Sequence, residues 1–96
     1  MESRKAVKTL SALANDSRLT ILRALVEAGP DGLFVNEVGA HIHCQLPTVS
    51  FHLKMLREAG LVTTEKKGAF TACRANLGSI NELLGFLGAN LSRESL

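Results

Sequence analysis

The stretch LPTVSFHLKML, residues 46 to 56, decides how this chain folds. Val49, Leu53 and Leu56 recur at helical spacing and mark one face for a core. Pro47, Ser50, Phe51 and Lys54 fall on the opposite arc, with Leu46 and Thr48 at the leading end. A helix kept only for packing would carry Lys and Glu on its wet face. Small hydroxyls and an aromatic there predict a face that meets something other than water.

The flanks give the context. Pro47 suits a first helical turn, where its missing N–H is no loss. Gly60 stops the helix after Ala59 as a C-terminal cap. Upstream, HCQL (43 to 46) is a tight break, preceded by Val35, Val38 and Ile42 at the spacing of a helix of about two turns. AGPDG (28 to 32) ends an earlier helix by glycine and proline. That helix has Asn15 as its N-cap and Asp16 in its first turn. Its stripe is Leu19, Leu22, Leu25 and Val26, with Ile21 beside it. A first helix, about residues 5–13, places Val7, Leu10 and Leu13 at helical spacing.

Downstream the period changes. Val62 and Thr64 alternate with Thr63 and Glu65, and Gly68 precedes Phe70 to Arg74, which predicts a β-hairpin with Lys66, Lys67 and Gly68 at its tip. A last helix, about 79–91, aligns Ile80, Leu83, Leu84, Leu87 and Leu91, with Phe86 flanking. The expected fold is mainly α with a β-hairpin wing, in the order α-α-α-α-β-β-α, as one domain over residues 1–96.

Ninety-six residues bury only a modest core, and dimerisation is one remedy for marginal stability at this size. With four Phe and neither Trp nor Tyr, that core must be built from Leu, Val, Ile and Ala. An unbroken apolar face on the last helix needs cover that a monomer of this length can hardly supply. The net charge of +2 says little, but its distribution is uneven. Between residues 54 and 74, Lys54, Arg57, Lys66, Lys67 and Arg74 face only Glu58 and Glu65, which leaves a nucleic-acid footprint and a merely solvated surface both open. No apolar run is long enough to span a membrane, and MESRKAVKTL lacks a signal-peptide core, so the expected setting is the cytosol. Cys44 and Cys73 are then expected to be reduced thiols.

Two short helices joined by a tight turn and followed by a hairpin make a helix-turn-helix with a wing. In that arrangement the second helix enters the DNA major groove, N-terminal end first. The expected DNA contacts are Gln45, Leu46, Pro47, Thr48, Ser50, Phe51 and Lys54 on the helix, and Lys66 and Lys67 on the wing. Hydroxyls can read base edges or phosphates, apolar groups can meet thymine methyls, and lysines can meet the backbone. An enzyme fails on inventory: there is no Ser-His-Asp order, no phosphate loop and no positioned carboxylate pair. A protein-interaction module reusing the fold remains the rival class, separated by salt-sensitive binding to DNA.

ALANDSRLTILRALVEAG (12 to 29) followed by TVSFHLKMLREAGLVTTEKKG (48 to 68) resembles the ArsR/SmtB family of winged-helix transcriptional repressors. The likeness covers roughly residues 6 to 91. The arsenic-responsive members are especially similar, through the GP-G-L break and SFHLK. The resemblance implies a homodimer joined by its first and last helices, here Val7, Leu10, Ile80, Leu83, Leu84, Leu87 and Leu91. It also implies a palindromic double-stranded operator and release by an inducer.

The sensing elements of the family are missing. Phe34, Val35 and Asn36 stand where metal sensors carry Cys-Val-Cys. The last helix offers only Glu82 and no His, and the chain ends NLSRESL without cysteine. The soft ligands left are Cys44, in the turn before the recognition helix, and Cys73, in the second wing strand. Each reads either as a small buried hydrophobe or as a thiolate for As(III), Sb(III) or an oxidant. Two sulfurs make a poor site for As(III), which prefers three, unless the dimer or a small thiol adds another. His41 and His43 sit next to Cys44 and read either as helix-end histidines or as metal ligands. His52 reads as a hydrogen-bonded packing residue in preference to a ligand.

Overall fold

Ala14 ends one helix and Asn15 caps the start of the next. In a computed structural model that describes residues 1–89, the Asn15 side-chain oxygen accepts the Arg18 N–H at 3.0 Å, separating α1 (Ser3–Leu13) from α2 (Asp16–Ala28). α1 turns Ala6, Thr9 and Ala12 inward, and the buried Thr9 hydroxyl donates to the Lys5 carbonyl at 2.8 Å. Val7 and Leu10 point away from the protomer's core. On α2 the buried residues are Ile21, Leu22 and Leu25, in line with Arg18 at i, i+3, i+4 and i+7. Leu19 and Val26, expected in the stripe, are exposed instead. They share a line one residue around from Arg18 and Leu25, so the buried arc is rotated away from them.

A 3-10 turn, Gly29–Asp31, leads to a strand that hydropathy did not announce, β1 (Leu33–Phe34). Two residues carry no readable period. The partner decides: Leu33 and Phe34 pair antiparallel with Cys73 and Ala72, giving a three-stranded sheet in which β3 (Phe70–Ala75) lies between β1 and β2 (Val62–Lys67). Gly32 makes this possible. It takes φ +67°, and a Cβ there would run into the Cys73 carbonyl. The hairpin closes over Gly68–Ala69, with Gly68 at φ +63°, where a Gly-X two-residue turn needs it.

α3 (Val35–Ile42) and α4 (Leu46–Glu58) meet across a turn in which His43 adopts a left-handed φ of 54°. The Cys44 N–H bonds back to the Gly39 carbonyl at 3.2 Å. Gly39 permits the close approach, since a Cβ would stand 3.2 Å from the Cys44 carbonyl oxygen and 3.3 Å from the Val49 side chain. α4 ends in a Schellman motif: Gly60 N–H bonds Arg57 and Leu61 N–H bonds Leu56, each at 3.0 Å.

α5 (Leu77–Gly88) starts two residues earlier than spacing predicts, because Asn76 caps it. Its Oδ1 accepts from Ser79 N–H at 3.3 Å, its Nδ2 donates to the Gly60 carbonyl at 3.0 Å, and its N–H bonds Leu61 at 2.8 Å. The core that results is aliphatic, as composition requires: Ile21, Leu25, Val38, Val49, Leu53, Leu56, Leu61, Val62 and Cys73. α5 adds Leu83 to the protomer's interior, and Ile80 packs against the core. Leu84 and Leu87 are 60% and 50% exposed. Leu91 lies outside the described residues.

Candidate nucleic-acid interface

α4 is held by its inner face and free on its outer one. Val49, His52, Leu53 and Leu56 are buried, whereas Gln45, Leu46, Pro47, Thr48, Ser50, Phe51 and Lys54 are all exposed. At about 100° per residue, Pro47, Ser50, Phe51 and Lys54 fit within one arc of about 100°. The helix entry is unusual. The Gln45 carbonyl takes the N–H groups of Thr48 and Val49, each at 3.1 Å, and Pro47 has none. The Gln45 side chain makes no capping hydrogen bond, so its amide is available to a ligand.

His52 anchors the helix from behind. Its Nδ1 lies 3.3 Å from Nη1 of Arg18, whose Nε donates to the Ala12 carbonyl at 2.6 Å. One guanidinium thus joins the end of α1, the start of α2 and the middle of α4. Burial lowers the His52 pKa, and the Arg18 charge lowers it further. A neutral ring with Nδ1 as acceptor is the form that fits. The Phe51 and His52 rings lie 5.7 Å apart at 60°.

The wing is braced at its base and cationic towards its tip. Arg74, one of the basic residues of the second half, is engaged internally: Nη1 reaches Glu65 at 2.9 Å and Nε donates to the Pro30 carbonyl at 2.8 Å. Phe34 and Phe70 stack with ring centroids 5.4 Å apart, linking the entry of α3 to the start of β3. Glu37 accepts the Phe34 N–H at 2.8 Å, fixing that entry. Lys66 and Lys67 stay exposed beside the turn.

The thiols have different surroundings. Cys73 is fully buried in β3, and burial pushes its thiol pKa up although the Arg57 charge pulls the other way. Cys44 is half-buried in the turn, its Sγ 3.4 Å from the Ile42 carbonyl oxygen. His41 and His43 are exposed. Among the described residues, no group of three or more His, Cys, Asp or Glu side chains is placed to hold a metal ion. Arg18 and Asn76 are the residues that sequence reasoning overlooked. Arg18 has a signal, since it lies on the buried line of α2 ahead of Leu22 and Leu25. Asn76 has one too, as an asparagine at a strand-to-helix boundary.

A tight helix pair, a recognition helix with a free polar and apolar face, and a flanking hairpin define a winged helix-turn-helix DNA-binding domain. A family model described as a helix-turn-helix domain matches residues 13–65. HlyU, a transcriptional activator of Vibrio cholerae, is 35% identical over 85 residues, which is 85% of this chain and 76% of HlyU. A putative arsenical resistance operon repressor of Halobacterium salinarum, ArsR2, is 38% identical over 64 residues, 67% of this chain and 53% of its own length. An HTH-type transcriptional regulator of Bacillus subtilis, YceK, is 46% identical over 55 residues, 57% of this chain and 54% of its own. The chain thus spans about half the length of the last two relatives. Among solved structures, HlyU superposes with a TM-score of 0.71 at 34% identity, covering 91% of this chain and 97% of that one. A Mycobacterium bovis domain described as a homodimeric winged helix-turn-helix has a TM-score of 0.71 at 23% identity, covering 91% and 81%, and so shares the fold. The chain belongs to the ArsR-type helix-turn-helix family of transcriptional regulators.

Proposed function

We propose that the chain is a homodimeric repressor that binds a palindromic duplex operator through α4 and the wing. The observation that carries this is the outer face of α4, where Gln45, Thr48 and Ser50 offer hydrogen bonds beside exposed Leu46, Pro47 and Phe51. Lys54, Lys66 and Lys67 supply phosphate contacts at its margins. The dimer seam is formed by the terminal helices, through Val7, Leu10, Leu84 and Leu87, all exposed in the protomer. Leu83 is 5% exposed in the protomer and would support the seam from within rather than line it. Ile80 is occupied in part by the core. A regulator that binds genomic DNA acts in the cytosol under this reading.

HlyU is described as an activator and ArsR2 as a putative repressor, so the sign of regulation needs its own test. Transcription in vitro from a promoter carrying a site selected by the full chain should fall as protein is added. A rise would make it an activator.

Release by an inducer rests on Cys44. The thiol occupies the turn that aims α4, whereas the buried, less acidic thiol of Cys73 is a core group. An oxidant at Cys44, or a soft metalloid held there with further sulfurs from the partner protomer or a small thiol, tilts α4, provided that it binds the free dimer more tightly than the DNA-bound one. Arsenite, antimonite or peroxide should then release DNA from wild type and Cys73→Ser but not from Cys44→Ser. Equal release from all three rejects thiol sensing.

A further inference from the structure

Among Gln45, Leu46, Pro47, Thr48, Ser50, Phe51 and Lys54, only Lys54 is charged, and it lies about two helical turns from the leading end. The head of α4 therefore presents exposed apolar side chains, with Pro47 and Phe51 neighbours at i, i+4 and Leu46 one residue around the helix. Leu46 is 55% exposed, Phe51 is 54% exposed, and Pro47 lies beside them. Nothing in the protomer covers these side chains among the described residues. In the major groove, the apolar group that base edges offer is the C5 methyl of thymine. Guanine is read most often by Arg or Lys, and the head of this helix has neither. Gln45, whose amide is not used as a cap, has the donor–acceptor pair that matches the N6 and N7 edge of adenine. The apolar side chains and the glutamine both select A·T pairs. The Phe51 ring lies 5.7 Å from that of His52, which is tied to Arg18.

Building on the DNA-binding reading above, we propose that Phe51, with Leu46 and Pro47, reads thymine methyl groups, and that the core of each half-site is A·T. Phe51 is then a specificity-determining residue. Hydrogen bonds from Thr48 and Ser50 set the register, and the wing lysines add affinity without sequence preference.

The test uses the full chain and a duplex it selects from a random pool, synthesised once with thymine and once with deoxyuridine. Uracil keeps every hydrogen-bonding edge and lacks only the methyl. Wild type should bind the uracil duplex about fourfold more weakly for each methyl group that Phe51 would cover, or about fifteenfold when both half-sites are changed. Phe51→Ala should bind both duplexes alike, at the uracil level. Phe51→Leu should keep part of the preference, and Lys67→Ala should weaken binding while keeping all of it. Phe51 is exposed, so these variants should melt like wild type. Equal binding of both duplexes by wild type, or selected half-sites of G·C pairs, overturns methyl reading while specific DNA binding stands. If no sequence is selected at all, the DNA-binding reading and this inference fall together.

Discussion

Nη1 of Arg18 stands 3.3 Å from Nδ1 of His52, on the side of α4 that faces the interior. The same guanidinium holds the Ala12 carbonyl, so the orientation of the recognition helix is tied to the junction of the first two helices. The joint works only while His52 is neutral, since an imidazolium would place two cations together and remove the acceptor.

This joint makes stability pH-dependent. The His52 pKa is lowered below its ordinary value of 6.5, first by burial and then by Arg18. In the window below 6.5 the unfolded chain binds the proton more readily than the folded one, so stability falls as pH falls and levels off below the folded pKa. Above 6.5 both states are neutral and the contribution is constant. Urea unfolding across pH should show this slope in wild type. His52→Asn, which keeps an acceptor near the Nδ1 position, should flatten it; an unchanged slope would assign the effect to other groups.

Gly29 and Gly32 separate backbone strain from steric clash. Both have positive φ with ψ near −160°, a region essentially restricted to glycine. Only at Gly32 does a Cβ meet the Cys73 carbonyl; at Gly29 it meets nothing within 4 Å. Gly29→Ala should lose about 1–3 kcal/mol from the backbone alone. Gly32→Ala should lose about 1–3 kcal/mol more and weaken the β1–β3 pairing. Equal losses in chemical denaturation would mean that β1 can shift freely.

Two neighbouring leucines of α5 should behave differently. Leu87→Glu replaces an exposed residue, so the monomer should stay folded while the dimer dissociates in sedimentation, a carboxylate being left unpaired in an apolar seam. Leu83→Ala removes a buried side chain and should lose about 2–5 kcal/mol of protomer stability. A Leu87→Glu chain that remains dimeric and binds DNA normally would move the seam away from α5.

Positioning and readout should separate on the interface itself. Lys66→Ala and Lys67→Ala should weaken binding to every sequence, each lowering the salt slope by roughly one. Ser50→Ala should alter the preference at one position in each half-site, by about 1–3 kcal/mol if the hydroxyl makes a good base contact. Sequence-blind losses from all three would collapse the distinction.

The sequence discloses this fold wherever a pattern is long or chemically marked. Val49, Leu53 and Leu56 declare the buried face of α4, and Asn15 declares the start of α2. What it conceals depends on partners. β1 exists because β3 lies beside it, and Leu19 and Val26 lose their place in the core because Arg18 takes the line towards α4. Leu83 and Leu87 look alike in the helical stripe, and only packing shows that one is interior and the other exposed. The exposed face of α4 proposed to read DNA stands out in the sequence because it breaks the rule for a wet helix face. The difference between the two thiols is not legible, since a thiol in a turn and a thiol in a strand read alike until burial tells Cys44 from Cys73.

The central claim is specific binding of a palindrome by a dimer through α4. Its most direct measurement is hydroxyl-radical footprinting of the full chain on a duplex selected from a random pool. The expected pattern is two symmetric protected half-sites on one face of the duplex, about one helical turn or a multiple apart. Phe51→Ala and Ser50→Ala should weaken protection within the half-sites, whereas Lys66→Ala and Lys67→Ala should weaken it at their flanks. A single unsymmetrical footprint, or protection independent of sequence, would contradict it.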